Sequence, residues 1–527
     1  MLRFLQVPPT HTHSVLHACI DEPIVLRTLL VNARVLVRIQ APRRLMDNPS
    51  FAVENPYTLE TVCEVGVHSE KASHDILGRV KQAQRDWAAV SLDERKAVCT
   101  KWVEVLEANI DTIAQDISRQ MGKPLGQAVG EVRGTMQRAK IMIGLADKAL
   151  APTTFPTDPT LFRQITKEPI GVVFCIAPWN YPMMTVVNSV IPALLAGNGV
   201  LLKHSPQTPL CGDHYESTLA QAGVPRDLLR SVHCSHETAA SLIANQLINF
   251  VSFTGSVRGG AQVNATVGAK RFIGSTLELG GKDAMYVAPD ADIDAAAAGL
   301  VDGACYNAGQ SCCGVERVYV HRSKYEEFIA AAVPHFDAYS LGNPLDASTS
   351  LGPMALASGP AVLARHVKDA VAKGGKVVTA VQAPVESTDK AGHGRFFPPT
   401  LVRDATHEMA IMTEESFGPI LGVMAVDSDE DAIAKMNDSA YGLTAGIFTR
   451  DFERAQRMAK QLEAGTIYMN RCDAVDAYLP WTGVKDTGKG HSLSEHGFAA
   501  FTQLKSVVEH EALIAKLTSS SPTAHSS

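Results

Sequence analysis

Apolar and polar positions along this chain follow two different periods. Residues 75–87, 92–109 and 127–148 repeat apolar side chains every three to four positions, the spacing that lines one face of an α-helix. Residues 171–177 (GVVFCIA) form an unbroken β-prone run, as a strand covered on both faces requires. A helical stretch through Leu195 follows, and Gly197 marks its stop. Residues 200–203, 250–254 and 285–288 read as further strands. Strands alternating with helices predict an α/β fold, a doubly wound parallel sheet with right-handed crossovers. Ligands in such sheets sit at the carboxyl ends of the strands, so the chemistry is expected there.

Length divides this pattern. A chain of 527 residues is too long for one ordinary core, and two or three domains are expected. Its 46% hydrophobic and 20% charged residues are those of an ordinary globular protein. A net charge of -7 leaves no electrostatic footprint for nucleic acid, and no apolar run is long enough for a membrane span. Ten cysteines without paired spacing read as reduced thiols of a cytoplasmic enzyme. His233, Cys234 and His236 invite a metal reading, but no second ligand pair stands at a zinc-type spacing, so the expectation is a polar loop and no metal. The first 45 residues carry six arginines against Asp21 and Glu22. They are read as a disordered extension ahead of Met46, with a mitochondrial presequence as the alternative. The Ser- and Thr-rich residues 511–527 are expected to be a loose tail.

Three segments carry candidate chemistry. Phe253-Thr-Gly-Ser-Val-Arg-Gly-Gly260 follows a strand and opens a helix. Gly255 would let backbone approach a phosphate, the Ser256 hydroxyl and helix N–H groups could bind it, and Gly260 would allow close helix packing. A plain strand-to-helix turn explains the same residues. In Leu277-Glu-Leu-Gly-Gly-Lys282, leucines on both sides of Glu278 should desolvate it and raise its pKa toward a general base's range; a solvated turn glutamate is the alternative. Thirty-four residues later, Asn307-Ala-Gly-Gln-Ser-Cys-Cys313 places a thiol in a turn with free N–H groups, where an inert buried cysteine is the competing reading.

Together these segments resemble the aldehyde dehydrogenase superfamily, over nearly the whole chain from about Asn55 to Glu509. The matching motifs run in family order: Ala177-Pro-Trp-Asn-Tyr-Pro182, Gly197-Asn-Gly-Val-Leu-Leu-Lys203, Phe253-Thr-Gly-Ser256, Leu277-Glu-Leu-Gly-Gly-Lys282, Gly309-Gln-Ser-Cys312, Glu415-Ser-Phe-Gly-Pro419 and Tyr441-Gly-Leu443. The resemblance implies a Rossmann-type cofactor domain (46–148 and 170–280), an α/β catalytic domain (281–490) and a small oligomerisation arm (149–169 and 491–510). It further implies oxidation of a small-molecule aldehyde to the acid with NAD or NADP, in a homodimer or homotetramer.

Carried over position by position, Cys312 is the implied nucleophile, Asn180 with the cysteine N–H holds the oxyanion, and Glu278 activates the water that releases the acid. Glu278 sets the chain apart from relatives that hand the acyl group to coenzyme A. The implied cofactor contacts are Ala177, Pro178, Trp179, Asn180, Lys203, Ser205, Gly255, Ser256, Gly260, Leu279, Glu415 and Phe417.

The departures from the family pattern are informative. Pro206 stands where NAD-preferring members usually carry a glutamate, which predicts tolerance of a 2′-phosphate and so of NADP. Ser189 and Ser492 replace a lysine and a glutamate thought to assist proton exit from the general base. His233-Cys234 replaces a Pro-Gly turn. The implied substrate pocket comprises Gly134, Tyr181, Asn188, Ser311, Asp473, Val475 and Trp481. Gly134, Asn188 and Val475 are smaller or more polar than usual, predicting a wide funnel for a bulky or partly polar aldehyde. The alternatives are a semialdehyde dehydrogenase, for which Arg471 is the candidate arginine, and an inactive scaffold.

Overall fold

The computed structural model describes residues 49–155, 161–379 and 395–510. The expectations for residues 1–45 and for the tail at 511–527 fall outside them.

Two mixed sheets carry the chain. In the first, strands lie in the order Gly488–Lys489, Gly274–Glu278, Ile248–Thr254, Val172–Ile176, Gly199–Lys203 and Leu229–Ser231. All neighbours are parallel except Gly488–Lys489, which runs antiparallel against Leu277 and Glu278. The second sheet has the order Lys376–Val377, Thr400–Arg403, Ile420–Val426, Val315–His321, Asp283–Val287, Thr444–Phe448 and Thr466–Met469, parallel apart from its first member. Residues 488 and 489, placed in the catalytic segment 281–490 by the resemblance, pair with the edge of the first sheet.

The expected helices form with slightly different ends. Glu70–Ala88 begins five residues early because Ser69 caps it, accepting from the Ala72 N–H. Leu92–Ala108 starts in a reciprocal capping box of Ser91 and Glu94. Leu125–Leu150 buries Val132, Met136, Ala139, Ile143 and Ala146, a stripe at helical spacing. Ile110–Met121, a helix that 92–109 does not announce, ends at Gly122 in the left-handed region (φ 80°).

The strands Val172–Ile176 and Gly199–Lys203 are buried almost throughout, as their uninterrupted apolar runs require. Apolar cores cover both faces of the first sheet, and a separate core fills the second. A three-stranded arm stands apart: Thr502–His510 pairs antiparallel with Leu161–Pro169, which pairs in turn with Thr153–Thr154. Among the described residues no helix is long and apolar enough to cross a membrane.

Candidate active site

The carboxyl ends of the first sheet's parallel strands bring Lys203, the 177–180 turn, Gly255 and Glu278 to one edge. Glycines then join this edge to the second sheet. A Cβ on Gly281 would lie 2.3 Å from the Cys312 carbonyl oxygen, so only glycine lets the Glu278 segment approach the cysteine loop. A Cβ on Gly280 would lie 2.5 Å from the Glu415 carboxylate, which accepts from the Gly281 N–H at 3.0 Å.

The loop before Cys312 is strained. Asn307 and Ala308 both take φ 54°, a left-handed conformation that non-glycine residues rarely adopt. Side chains hold it there. The Asn307 amide donates to the Gln310 carbonyl at 3.0 Å and to the Asn180 carbonyl at 3.2 Å. Gln310 donates back to Asn307 O at 3.1 Å and accepts from the Ala355 N–H at 2.9 Å. Cys312 itself is half-buried, so its thiol is neither sealed in the core nor openly exposed.

Asn180 is buried and clamped through its main chain. The Lys123 ammonium donates to its carbonyl at 2.9 Å and pairs with Glu131, both of them buried. The other Glu131 oxygen accepts from the N–H groups of Met183 (2.8 Å) and Met184 (3.2 Å). Lys123 also lies 3.9 Å from the centre of the Tyr181 ring. His204 adds a third tie, with Nε2 2.8 Å from the Pro182 carbonyl; because Nδ1 faces the Ser205 N–H, Nε2 carries the proton. Burial pushes that imidazole down to about 4, so it stays neutral.

Burial drives Glu278 above the usual carboxyl range, with Ser492 and Arg138 pulling the other way. The Ser492 hydroxyl is buried without a hydrogen-bond partner among the described residues, close enough to Glu278 to favour its ionised form. Ser189 instead joins a buried hydroxyl chain, 2.7 Å from Ser252, which accepts from Thr276 at 3.3 Å.

The residues implied to hold a dinucleotide fit that role. Lys203 is only 4% exposed, and its ammonium has no ion pair or hydrogen bond among the described residues; burial lowers its pKa. An unpartnered buried cation at a strand's carboxyl end is a site for a hydroxyl-rich or anionic ligand. Ser256 caps the helix Val257–Lys270, whose N-terminal N–H groups point to the same edge. Gly260 permits the expected close packing, since a Cβ there would lie 2.4 Å from Leu279. Ser205 accepts from the Gln207 N–H at 3.3 Å, and Pro206 beside it is exposed. Glu415 is held protonated up to about 7, chiefly by burial. Phe417, at φ 52°, stands edge-on to Trp179 with ring centres 5.4 Å apart. Its N–H and that of Ser416 donate to Glu316, which pairs with buried Lys282.

Of the expected pocket residues, Ser311 and Asp473 meet at the cysteine loop, and side chains occupy the space beside Gly134 and Asn188. A Cβ on Gly134 would sit 2.7 Å from the Met184 sulfur, so methionine refills what the missing side chain vacates. Asn188 is buried and accepts from Arg138 at 3.2 Å, so its place is filled as well. Ser311 is buried and bonds to Asp473 at 3.3 Å. Trp481 is buried in a short strand pair with Ser492, and Val475 packs on the same core as Cys312. Arg471 is exposed and makes no hydrogen bond among the described residues. Of the once-suspected metal trio, His233 bonds to Asp213 at 3.0 Å and stacks on His68, while His236 opens a helix. Lys123, Glu131, Arg138 and His204 escaped the sequence reading, because each acts across the fold on a residue far away in the chain.

The aldehyde dehydrogenase family model matches residues 45–507. A succinate-semialdehyde dehydrogenase [NADP(+)] from Deinococcus radiodurans is 35% identical over 87% of this chain and 94% of its own length. A 3,6-anhydro-alpha-L-galactose dehydrogenase from Streptomyces coelicolor is 34% identical over 88% and 94%. Among solved structures, an indole-3-acetaldehyde dehydrogenase complexed with NAD+ superposes with a TM-score of 0.84 at 28% identity, covering 88% of this chain and 93% of that one. With the motif order, the two sheets and the joined cysteine and glutamate loops already in place, the chain belongs to the aldehyde dehydrogenase family.

Proposed function

We propose that Cys312, Asn180 and Glu278 are the working groups of an enzyme that oxidises an aldehyde to its carboxylic acid with NAD or NADP. The observation that carries this is the contact at Gly281, which brings the Glu278 segment onto the Cys312 main chain. The Cys312 thiolate adds to the aldehyde carbonyl, forming a thiohemiacetal oxyanion. The Asn180 side-chain amide and the Cys312 N–H receive that charge, and the Lys123–Glu131 clamp fixes where the amide stands. NAD or NADP, held at this edge, would supply the acceptor for the hydride that leaves the carbon as the oxyanion collapses, so that Cys312 keeps the acyl group as a thioester. Glu278 takes a proton from water, and the resulting hydroxide releases the acid and frees the thiol. Lys203, Ser205, Ser256, Glu415 and Phe417 would hold the cofactor, with Ala177, Pro178, Trp179, Gly255, Gly260 and Leu279 shaping its cradle.

Replacement of Cys312 by serine is expected to abolish aldehyde-dependent NAD(P)H formation; unchanged activity would refute the assignment. The exposed Pro206 carries no carboxylate to repel a 2′-phosphate, so NADP is expected to support turnover. A kcat/KM with NADP under about a tenth of that with NAD would overturn this reading, a gap of about 1.4 kcal/mol. The arm formed by 149–169 and 491–510 is assigned to assembly of a homodimer or homotetramer.

A further inference from the structure

Residues 414–418 carry Glu415 and Phe417, and their backbone is not at rest. Phe417 takes φ 52°, a left-handed conformation that a phenylalanine keeps only where its surroundings enforce it. Glu415 stands at the end of the cofactor edge that meets the nucleophile. It accepts from the Gly281 N–H at 3.0 Å, and a Cβ on Gly281 would lie 2.3 Å from the Cys312 carbonyl oxygen. Whatever fixes this segment fixes a cofactor contact one residue removed from the Cys312 main chain.

Two sets of partners grip it. Glu316 accepts from the N–H groups of Ser416 at 2.8 Å and Phe417 at 2.9 Å, and its buried partner Lys282 donates to the Ser416 hydroxyl at 3.1 Å. The second set comes from the helix Gly359–Ala372. A Cβ on Gly418 would lie 2.5 Å from Leu363, Arg365 pairs with Glu414 at 2.7 Å, and His366 Nδ1 lies 3.1 Å from the Ser416 hydroxyl. The two sets converge on Ser416. His366 is fully buried, and its partners fix its tautomer. Arg365 Nη2 lies 3.0 Å from Nε2, and a guanidinium can only donate, so Nε2 accepts and Nδ1–H donates to Ser416 Oγ. Burial pushes the imidazole pKa down, with Lys282 and Arg365 adding to it and Glu414 and Glu316 opposing, which favours the neutral ring. A leucine would fill much the same space and make neither bond.

We propose that His366 is a positioning residue for the oxidation: through the Ser416 hydroxyl it sets where Glu415 and Phe417 hold the reacting end of the nicotinamide cofactor. This rests on the reading of Cys312, Glu278 and Glu415 as parts of an aldehyde-oxidising site. Misplacement of that end by a fraction of an ångström acts on hydride transfer and not on aldehyde binding. The test is the single-turnover rate of NAD(P)H formation, with enzyme in excess of aldehyde and NAD(P)+ saturating. It compares the wild type with His366→Leu, His366→Asn, Ser416→Ala and the double variant His366→Leu/Ser416→Ala. His366→Leu should slow the turnover by about tenfold or more and leave the aldehyde KM unchanged. Deuterium at the aldehyde carbon should slow that variant further, because hydride transfer limits it. His366→Asn, whose amide can donate where Nδ1–H did, should recover most of the rate. In the Ser416→Ala background His366→Leu should cost little more, because the hydroxyl it acts through is gone.

A wild-type rate in His366→Leu overturns the proposal, as does a slowed rate indifferent to deuterium. Equal losses in His366→Leu and His366→Asn, or losses that multiply in the double variant, overturn it too and assign His366 to packing alone. Should His366→Leu fail to fold, Ser416→Ala decides: a wild-type rate there overturns the proposal, and a slowed, deuterium-sensitive rate supports it. A wild-type enzyme that forms no NAD(P)H with any aldehyde contradicts the aldehyde-oxidising reading itself, so the two failures are distinguishable.

Discussion

Asp473 occupies a position where a carboxylate is expensive. It stands beside the cysteine loop with φ 43°, accepting from the Cys313 thiol at 3.0 Å and the Ser311 hydroxyl at 3.3 Å, and burial lifts its pKa to about 7. An unfolded aspartate ionises near 3.8, so between those values the folded chain holds a proton that the unfolded chain has lost. Stability from this group therefore falls as pH rises from about 4 to about 7. Asp473→Asn keeps the accepting oxygen and removes the titration. The fall in Tm between pH 5 and pH 8 should shrink by about 2 °C or more in the variant; an unchanged or larger fall in a thermal melt would show that the carboxyl ionises freely. Glu415 at about 7 has the same sign and is common to both proteins. The sequence makes Asp473 visible only through family resemblance, since a carboxyl's neighbours across a fold leave no local trace. The same holds for Lys123 and Glu131, eight positions apart, whose shared grip on Asn180, Met183 and Met184 appears only once the helix and loop are packed.

Elements were more legible than contacts. Residues 171–177, 200–203 and 250–254 announce buried strands because a parallel strand covered on both faces tolerates no polar alternation, and the structure puts Val172–Ile176, Gly199–Lys203 and Ile248–Thr254 side by side. Helix starts were less legible, since Ser69 could only be known as a cap once its acceptor role was seen. Short strands such as Gly488–Lys489 left no periodic signal at all, yet this one closes the sheet edge over Glu278. The arm raises a different question. Thr502–His510 is an edge strand of nine residues whose outer side has no partner among the described residues, and Leu504 and Val508 on one face are 61% and 64% exposed. Such an edge is prone to pair with another chain. For a homodimer or homotetramer built on this edge, Leu504→Glu with Val508→Glu should lower the mass seen in light scattering with secondary structure retained; an unchanged mass would contradict assembly through this strand.

At the scale of the whole molecule, two sheets meet at points where no side chain fits. Gly280 admits Glu415, Gly281 admits the Cys312 carbonyl, and Gly309 lets the cysteine loop pass the Gly418 backbone. These contacts set how closely the Cys312 loop, the Glu278 segment and Glu415 approach one another. The sequence displays the glycines, but their purpose depends on elements brought together from distant parts of the chain. Gly134 and Asn188, the basis for expecting a wide funnel, have Met184 and Arg138 beside them, neighbours from elsewhere in the chain. The central claim is a division of labour: Cys312 forms the bond to the substrate and Glu278 activates the water that breaks it. Rapid mixing of Glu278→Gln with aldehyde and NAD(P)+ tests that division directly. A burst of about one NAD(P)H per Cys312 followed by a steady rate slowed about 100-fold or more is the expected result, since acylation proceeds while deacylation lacks its base. Wild-type steady turnover in that variant, or a burst that survives in Cys312→Ser, would contradict the account.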